Sequence, residues 1–357
     1  MGRVGRAMKS GELRVAIIGS GSISGYHVAG IRAAGRARVV AMVGRNREKT
    51  ERRARELGID RAETDFRGVL EDASVDAVVV ATPDNTHKTI AIAALEAGKP
   101  VLVQKPMALS IEECRAILDA RDRTGCPLTV SFMHRYFPEV RWLKDLLGKG
   151  ALGTIQTIRI RNATPGADWG DWFYMPEAVS GGVVMQLGVH GIDLCQHLFG
   201  PIESVSACVS RAVPERILKD GRKVKTQLED NALAIYSFCS RAMASHEMSY
   251  TEIAGCDRFR LEVQADAGTV WLRRERGPAV IFAPAITGET AWVAPGLPRK
   301  EAFGEAHHRH WISIARGEAE PDDTAEAGLS SIQIAEAIYR SAREGRTIAV
   351  APEYGLS

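Results

Sequence analysis

The stretch that most constrains this chain is an apolar run that passes straight into a glycine turn and then a helix, LRVAIIGSGSISGYHVAGI over residues 13–31. Gly19 permits a tight turn, and Gly21 lets a pyrophosphate approach the backbone at the helix N-terminus. Ser24 stands where a third Gly or Ala is usual and is small enough for close packing. Ser22 and Ile23 complete the loop. Alone, the pattern also fits any tight strand-to-helix turn. Its weight comes from the repeated strand-and-helix units downstream.

Residues 37–44, 76–83, 100–106 and 127–132 are further apolar runs, each leading toward a helical pattern or another candidate strand end. The helix after 37–44 is charged along REKTERRARELG, the one after 76–83 ends at Gly98, and Ser110 with Glu113 gives a capping box opening a third. Strands apolar on both faces that alternate with helices form a parallel sheet covered on both sides. The expected fold is therefore α/β: an N-terminal doubly wound Rossmann sheet, whose ligands lie at the carboxyl ends of its strands. Every notable feature falls at such an end: the glycine loop, Gly44-Arg45-Asn46, Thr82-Pro83 and Gln104-Lys105-Pro106. Asn85 and His87 follow the third strand, where a nicotinamide half would lie, although Asn85 also suits a helix cap.

The end of the second strand bears on the cofactor. A carboxylate there would bind ribose hydroxyls and repel a 2′-phosphate. Gly44, Arg45 and Asn46 offer none, and an arginine can pair with phosphate, so NADP is expected, with NAD as the alternative.

With 357 residues the chain has room for two cores. Residues 1–12 are basic, lack an apolar signal region and read as a loose extension; 13–133 form the dinucleotide domain and 134–357 a substrate and oligomerisation domain. Within the latter, 153–162, 203–213, 231–238, 258–264 and 268–274 alternate like strands of a meander, an α+β unit with a large, mostly antiparallel open sheet. A final helix, 328–345, ends at glycine. A net charge of +2 gives no footing for nucleic acid. No run approaches the roughly 18 apolar residues of a membrane span. Six scattered cysteines without zinc spacing read as free thiols of a cytoplasmic protein.

The motifs GSGSISGYH, DAVVVATPDNTH, AGKPVLVQKPMA and SGGVVMQLGVHGID, in this order, resemble the glucose–fructose oxidoreductase / inositol dehydrogenase (Gfo/Idh/MocA) family from about residue 13 to about 350. The resemblance implies oxidation or reduction of a small, sugar-like molecule and pairing of subunits through the open sheet as a homodimer or homotetramer. It also implies a Glu-Lys-Pro active-site lysine, here Lys105, and an Asp-x-Gly-x-His catalytic histidine, here His190. Two positions depart from the family: its glutamate is Gln104, and its aspartate is Gln186.

His190 suits the proton transfer that accompanies hydride movement, because imidazole titrates near neutrality, and Lys105 can steady the reacting oxygen. A lone histidine is often a cap and a lone strand-end lysine is often solvated; the matching motifs raise both above that. Trp169, Asp171, Trp172 and Tyr174, in an aromatic segment over 164–182, suit a flap over a sugar, and Arg135, just past the fifth strand, is placed to reach the substrate. Asp193 and His197 share a helical face, which reads as a stabilising contact, and no metal is expected. His307, His308 and His310 are expected at a surface or pocket rim. The paired amides suggest a site short of two negative charges, with His190 neutral and oriented by Gln186. Alternatives to a sugar dehydrogenase are a keto-sugar reductase, a glycosidase or lyase with transient redox, and a silent cofactor sensor.

Overall fold

The computed structural model describes residues 11–254, 258–273, 279–297 and 301–350. Most of the expected N-terminal extension, Cys256, Arg274 of the expected fifth C-terminal strand, and residues 351–357 lie outside the described residues.

The first sheet is wholly parallel, with strands β1 (Leu13–Ile18), β2 (Ala37–Val43), β3 (Ala62–Glu63), β4 (Ala77–Val80), β5 (Val101–Val103) and β6 (Leu128–Val130) in the order β3-β2-β1-β4-β5-β6. Helices α1 (Ile23–Ala34), α2 (Arg47–Glu56), α3 (Phe66–Glu71), α4 (His87–Glu96) and α5 (Ile111–Thr124) cover it. β4, sequence AVVV, is buried at every residue, as β-branched side chains between two helical layers should be. Ser110 Oγ accepts from Glu113 N at 3.3 Å, so α5 starts where the capping pattern places it. β3 was not legible, because two residues carry no periodicity. The strand order reverses between β1 and β4, which is where a doubly wound sheet leaves its ligand crevice.

Helix α6 (Pro138–Gly148) leads to the second sheet, built from β7 (Ile155–Ala163), β8 (Ile202–Ser210), β11 (Asn231–Phe238), β12 (Met243–Ser249), β13 (Phe259–Ala265), β14 (Gly268–Arg273), β15 (Val280–Phe282) and β16 (Ile348–Ala349); β9 (Glu215–Ile217) and β10 (Lys223–Lys225) form a separate hairpin. The order β15-β14-β13-β7-β12-β11-β8-β16 is not the simple meander expected. β7 inserts between β13, antiparallel to it, and β12, parallel to it. Helices α7 (Val189–Phe199) and α10 (Thr324–Glu344) pack on one face, with the short α8 (Pro284–Thr287) at the edge. The other face is open, and along β11 burial alternates accordingly.

The two sheets share one core. Val78, Val103 and Val130 of the first belong to the same apolar cluster as Ile158, Leu261 and Val263 of the second, joined through Ile332 and Ile338 of α10. Helix α9 (Glu305–Ala315) returns to the first sheet and buries Trp311 and Ile312 beside Val28 and Ile31 of α1. Among the described residues, no helix is long and apolar enough to cross a membrane.

Candidate active site

A cleft of about 930 Å³ runs from the glycine loop, past the ends of β4 and β5, to the segment 163–173. At its outer end Gly19 has φ +126°, and a Cβ there would lie 2.1 Å from the Ala81 carbonyl oxygen. The side of Gly21 is open, with nothing within 4 Å of where a Cβ would stand. Ser22 makes no side-chain cap and the first turn of α1 holds no acid, which suits an anion, while the N–H groups of Ser24 and Gly25 turn back to the carbonyl oxygens of Gly21 and Ser22 at 3.2 Å each. Arg53 adds positive charge, donating to Ser24 Oγ and Ser22 O at 3.3 Å each, and Lys49 and Arg52 also line the cleft. The loop therefore fits the pyrophosphate of a dinucleotide. In sequence the α2 cations read only as a solvated face; their place directly after the β2 end was the available signal.

Of the expected cofactor residues, Gly21, Ser22, Ile23, Thr82, Gln104 and Lys105 line the cleft. Arg45 is exposed after the end of β2 and is not among the residues that line the cleft. Asn46 caps α2, accepting from Lys49 N at 2.8 Å. Asn85 is neither a cleft residue nor the cap of α4: it lies within a short 3₁₀ turn, and Nδ2 donates to Glu177 O at 3.0 Å. His87 is buried, its two ring nitrogens each 2.9 Å from the carbonyl oxygens of Pro106 and Thr82, so it ties the ends of β4 and β5 together from behind. Pro83 only starts the 3₁₀ turn.

The inner end is built around a π-helical turn, Val184–Gly188, which runs into α7. Such turns expose backbone groups and recur at functional sites. Glu229 holds its start, accepting from Gly182 N at 3.1 Å, Val184 N at 3.0 Å and the Tyr339 hydroxyl at 2.7 Å. The turn presents Gln186 to two partners from the first sheet. Lys105 Nζ donates to Gln186 O at 2.5 Å, and Gln186 Nε2 donates to Asp84 Oδ2 at 2.5 Å. Asp84 also accepts from Ser180 N and Oγ at 3.2 and 3.1 Å.

Asp84 is the residue that sequence reasoning missed. It stands among four named neighbours, just past Thr82-Pro83, and it restores one of the two charges that the paired amides remove. Burial lowers Lys105 to about 8, with Arg258 acting in the same direction and Asp84 partly opposing them. His190 follows the π turn. Burial, His134, Lys105 and Arg258 together hold it well below the ordinary histidine range, so its ring is neutral. His134, also unanticipated, stacks on His190 with centroids 4.1 Å apart and ring planes 17° apart. Gln186 does not orient His190 as expected, since its amide goes to Asp84; His190 Nδ1 is buried without a hydrogen-bond partner among the described residues.

Trp169 and Trp172 line the cleft, but three other substrate expectations need correction. Arg135 is held in a buried ion pair, with Nη2 2.6 Å from Asp193 and Nη1 2.5 Å from Asp323. Asp171 pairs outward with Arg222 at 2.8 Å. Tyr174 braces the segment from inside, its hydroxyl donating to Ala167 O at 2.5 Å. Of the histidines expected at a surface or pocket rim, His307 and His308 are buried because α9 packs on α1, His307 lining a small cavity beside Tyr26 and Tyr136; His310 stays partly exposed, 3.2 Å from Asp322. Cys114, Cys126, Cys195, Cys208 and Cys239 are free thiols.

A glycine-looped parallel sheet meeting a lysine and a neutral histidine in one cleft defines a dinucleotide-dependent oxidoreductase. Residues 13–132 match the oxidoreductase family with an NAD-binding Rossmann fold, and 140–271 match the GFO/IDH/MocA C-terminal domain. Inositol 2-dehydrogenase 1 of Mycolicibacterium vanbaalenii is 30% identical over 353 residues, covering 95% of this chain and 96% of that one. D-apiose dehydrogenase of Paraburkholderia graminis is 28% identical over 345 residues, covering 93% and 88%. A levoglucosan dehydrogenase solved with NADH superimposes with a TM-score of 0.86 at 22% identity, over 95% of this chain and 99% of that one. The chain belongs to the Gfo/Idh/MocA oxidoreductase family.

Proposed function

We propose that the protein interconverts an alcohol and a ketone on a sugar, cyclitol or related polyol, with His190 exchanging the proton and Lys105 holding the reacting oxygen. The observation that carries this reading is that both side chains line the same cleft as the glycine loop. When bound, the nicotinamide accepts or supplies the hydride. A neutral His190 can take the alcohol proton without first losing one of its own. At neutral pH Lys105, at about 8, is mostly an ammonium. One of its hydrogens goes to Gln186 O, which leaves others for the substrate oxygen. Trp169 and Trp172 offer flat apolar faces to a ring. A panel of sugars, cyclitols and sugar acids, followed at the nicotinamide absorbance with both cofactors, tests the reading. Expected is turnover with a polyol or its ketone; turnover without any absorbance change would replace it with transient redox chemistry.

The finer cofactor choice is inferred from β2: no carboxylate at Gly44-Arg45-Asn46, an exposed Arg45, and Lys49 and Arg52 on the cleft wall. These groups favour a 2′-phosphate. In fluorescence titration NADPH is expected to bind about tenfold or more tighter than NADH, roughly one charge-assisted contact; equal or reversed affinities would assign NAD. Subunit pairing is inferred from the open sheet face, where Leu233 (62% exposed), Ile235 (57%) and Met243 (54%) stand in water. Light scattering should give a dimer or tetramer that Leu233→Glu with Ile235→Glu dissociates.

A further inference from the structure

Gln104 lines the cleft beside Lys105, yet its amide is tied inward. Nε2 lies 2.6 Å from His27 Nε2 on α1 and 3.1 Å from Ser131 Oγ. His27 Nδ1 lies 2.9 Å from His308 Nε2 on α9, and His308 Nδ1 lies 2.7 Å from the Gly304 carbonyl oxygen. Gly30 makes room for the last contact, since a Cβ there would sit 2.1 Å from His308 Nδ1.

For neutral rings this chain has one consistent proton assignment. A carbonyl oxygen only accepts, so His308 Nδ1 carries the hydrogen and His308 Nε2 is the acceptor. His27 Nδ1 must then donate, which leaves His27 Nε2 as an acceptor. The Gln104 atom facing it must donate in turn, so it is the amide nitrogen, and its second hydrogen goes to Ser131 Oγ. The side-chain carbonyl oxygen is left for the cleft. Both rings are 0% exposed, and the titratable groups packed on the pair are Tyr26 and His307, with His310 beyond. Burial lowers His308 to about 4 and holds His27 well below the ordinary histidine range, the latter with help from His308.

We propose that His27 and His308 are positioning residues that fix the amide of Gln104, so that a neutral carbonyl oxygen faces the nicotinamide riboside half of the cofactor and accepts from a hydroxyl or carboxamide N–H. This rests on reading the β5 end as the nicotinamide end. It couples helix α9 to the cofactor cleft through α1.

Ring couplings of the ¹⁵N-histidine-labelled, cofactor-free chain at neutral pH read the tautomers directly. Both His27 and His308 are expected neutral with the hydrogen on Nδ1; His27 with hydrogen on Nε2, or as an imidazolium, would overturn the proposal. Two variants separate acceptor from donor at the cleft. Gln104→Leu is expected to weaken NADH and NADPH about 3- to 10-fold by fluorescence titration. Gln104→Glu keeps an acceptor toward the cleft and should stay within about threefold of wild type, a shift smaller than one hydrogen bond. Because a carboxylate cannot donate, the same variant should turn His27 into an imidazolium. If Glu is as weak as Leu, an N–H faces the cleft and the proposal fails. His308→Ala should give His27 a mixture of tautomers; an unchanged His27 would show that His308 positions nothing. Failure of the wild-type chain to bind either nucleotide would instead sink the reading of the cleft itself.

Discussion

Helix α7 carries two titratable residues three positions apart with opposite fates. His190 is buried and stacked on His134, it faces the cleft, and its Nδ1 has no hydrogen-bond partner among the described residues. Asp193 is equally buried, but its carboxylate receives Nε and Nη2 of Arg135 at 2.6–3.0 Å, and Arg135 reaches on to Asp323. A buried polar atom left unpaired costs about 1–3 kcal/mol, so a fold tolerates it chiefly where something else is gained. The carboxylate is tied to Arg135, whereas the ring keeps a nitrogen without a partner, as the proton exchange proposed for it requires. On that proposal, completeness of pairing distinguishes a structural charge from a working group on one helix.

The largest expected effect lies on the unsealed face. His190→Ala should lower kcat by about 10²- to 10⁴-fold, the usual worth of a positioned acid–base group, with cofactor affinity in the wild-type range. A loss below about tenfold would make His190 a packing residue and erase the contrast. Arg135→Ala tests the sealed face. It strands a buried carboxylate, so chemical denaturation should show a loss of about 3–5 kcal/mol, and Arg135→Met with Asp193→Leu should recover much of it. If Arg135 instead served the substrate, KM would rise while stability held.

The same division separates the features that were legible in the sequence from those that were not. The Rossmann strands and the glycine turn could be read because each depends on local pattern, apolar runs and a turn; Lys105 and His190, whose roles are proposed above, could be singled out from short motifs in the same way. What failed depended on partners remote in sequence. Arg135 looked available until the fold set it against Asp193, 58 residues away. Gln186 looked like a lost charge until Asp84, 102 residues away, supplied one. His308 looked like a surface or pocket-rim residue until α9 packed on α1 and placed it against His27, 281 residues away. Asp171 and Tyr174 share the segment of Trp169 and Trp172, and only the three-dimensional path decides which side chains turn toward the cleft.

Asp84 sharpens the comparison most finely, because it is a well-paired carboxylate that still acts on Lys105. Burial holds Lys105 at about 8, Arg258 lowers it too, and Asp84 raises it. The ammonium form exists below that value, so activity that needs it should be present at neutral pH and fall as pH rises through about 8. In Asp84→Asn the raising influence is gone and the fall should begin at lower pH. The variant should approach wild type near pH 6 and lag by less than about tenfold at pH 8, a difference of about one pK unit or less. His190, already neutral, adds no acid limb in the ordinary histidine range. Gln186→Asp is the opposite control: a second carboxylate beside Asp84 leaves one of the two holding a proton more readily. A pH–rate profile with the alkaline limb unmoved in Asp84→Asn would confine Asp84 to tying the π turn to β4, a sealed contact like Asp193 after all.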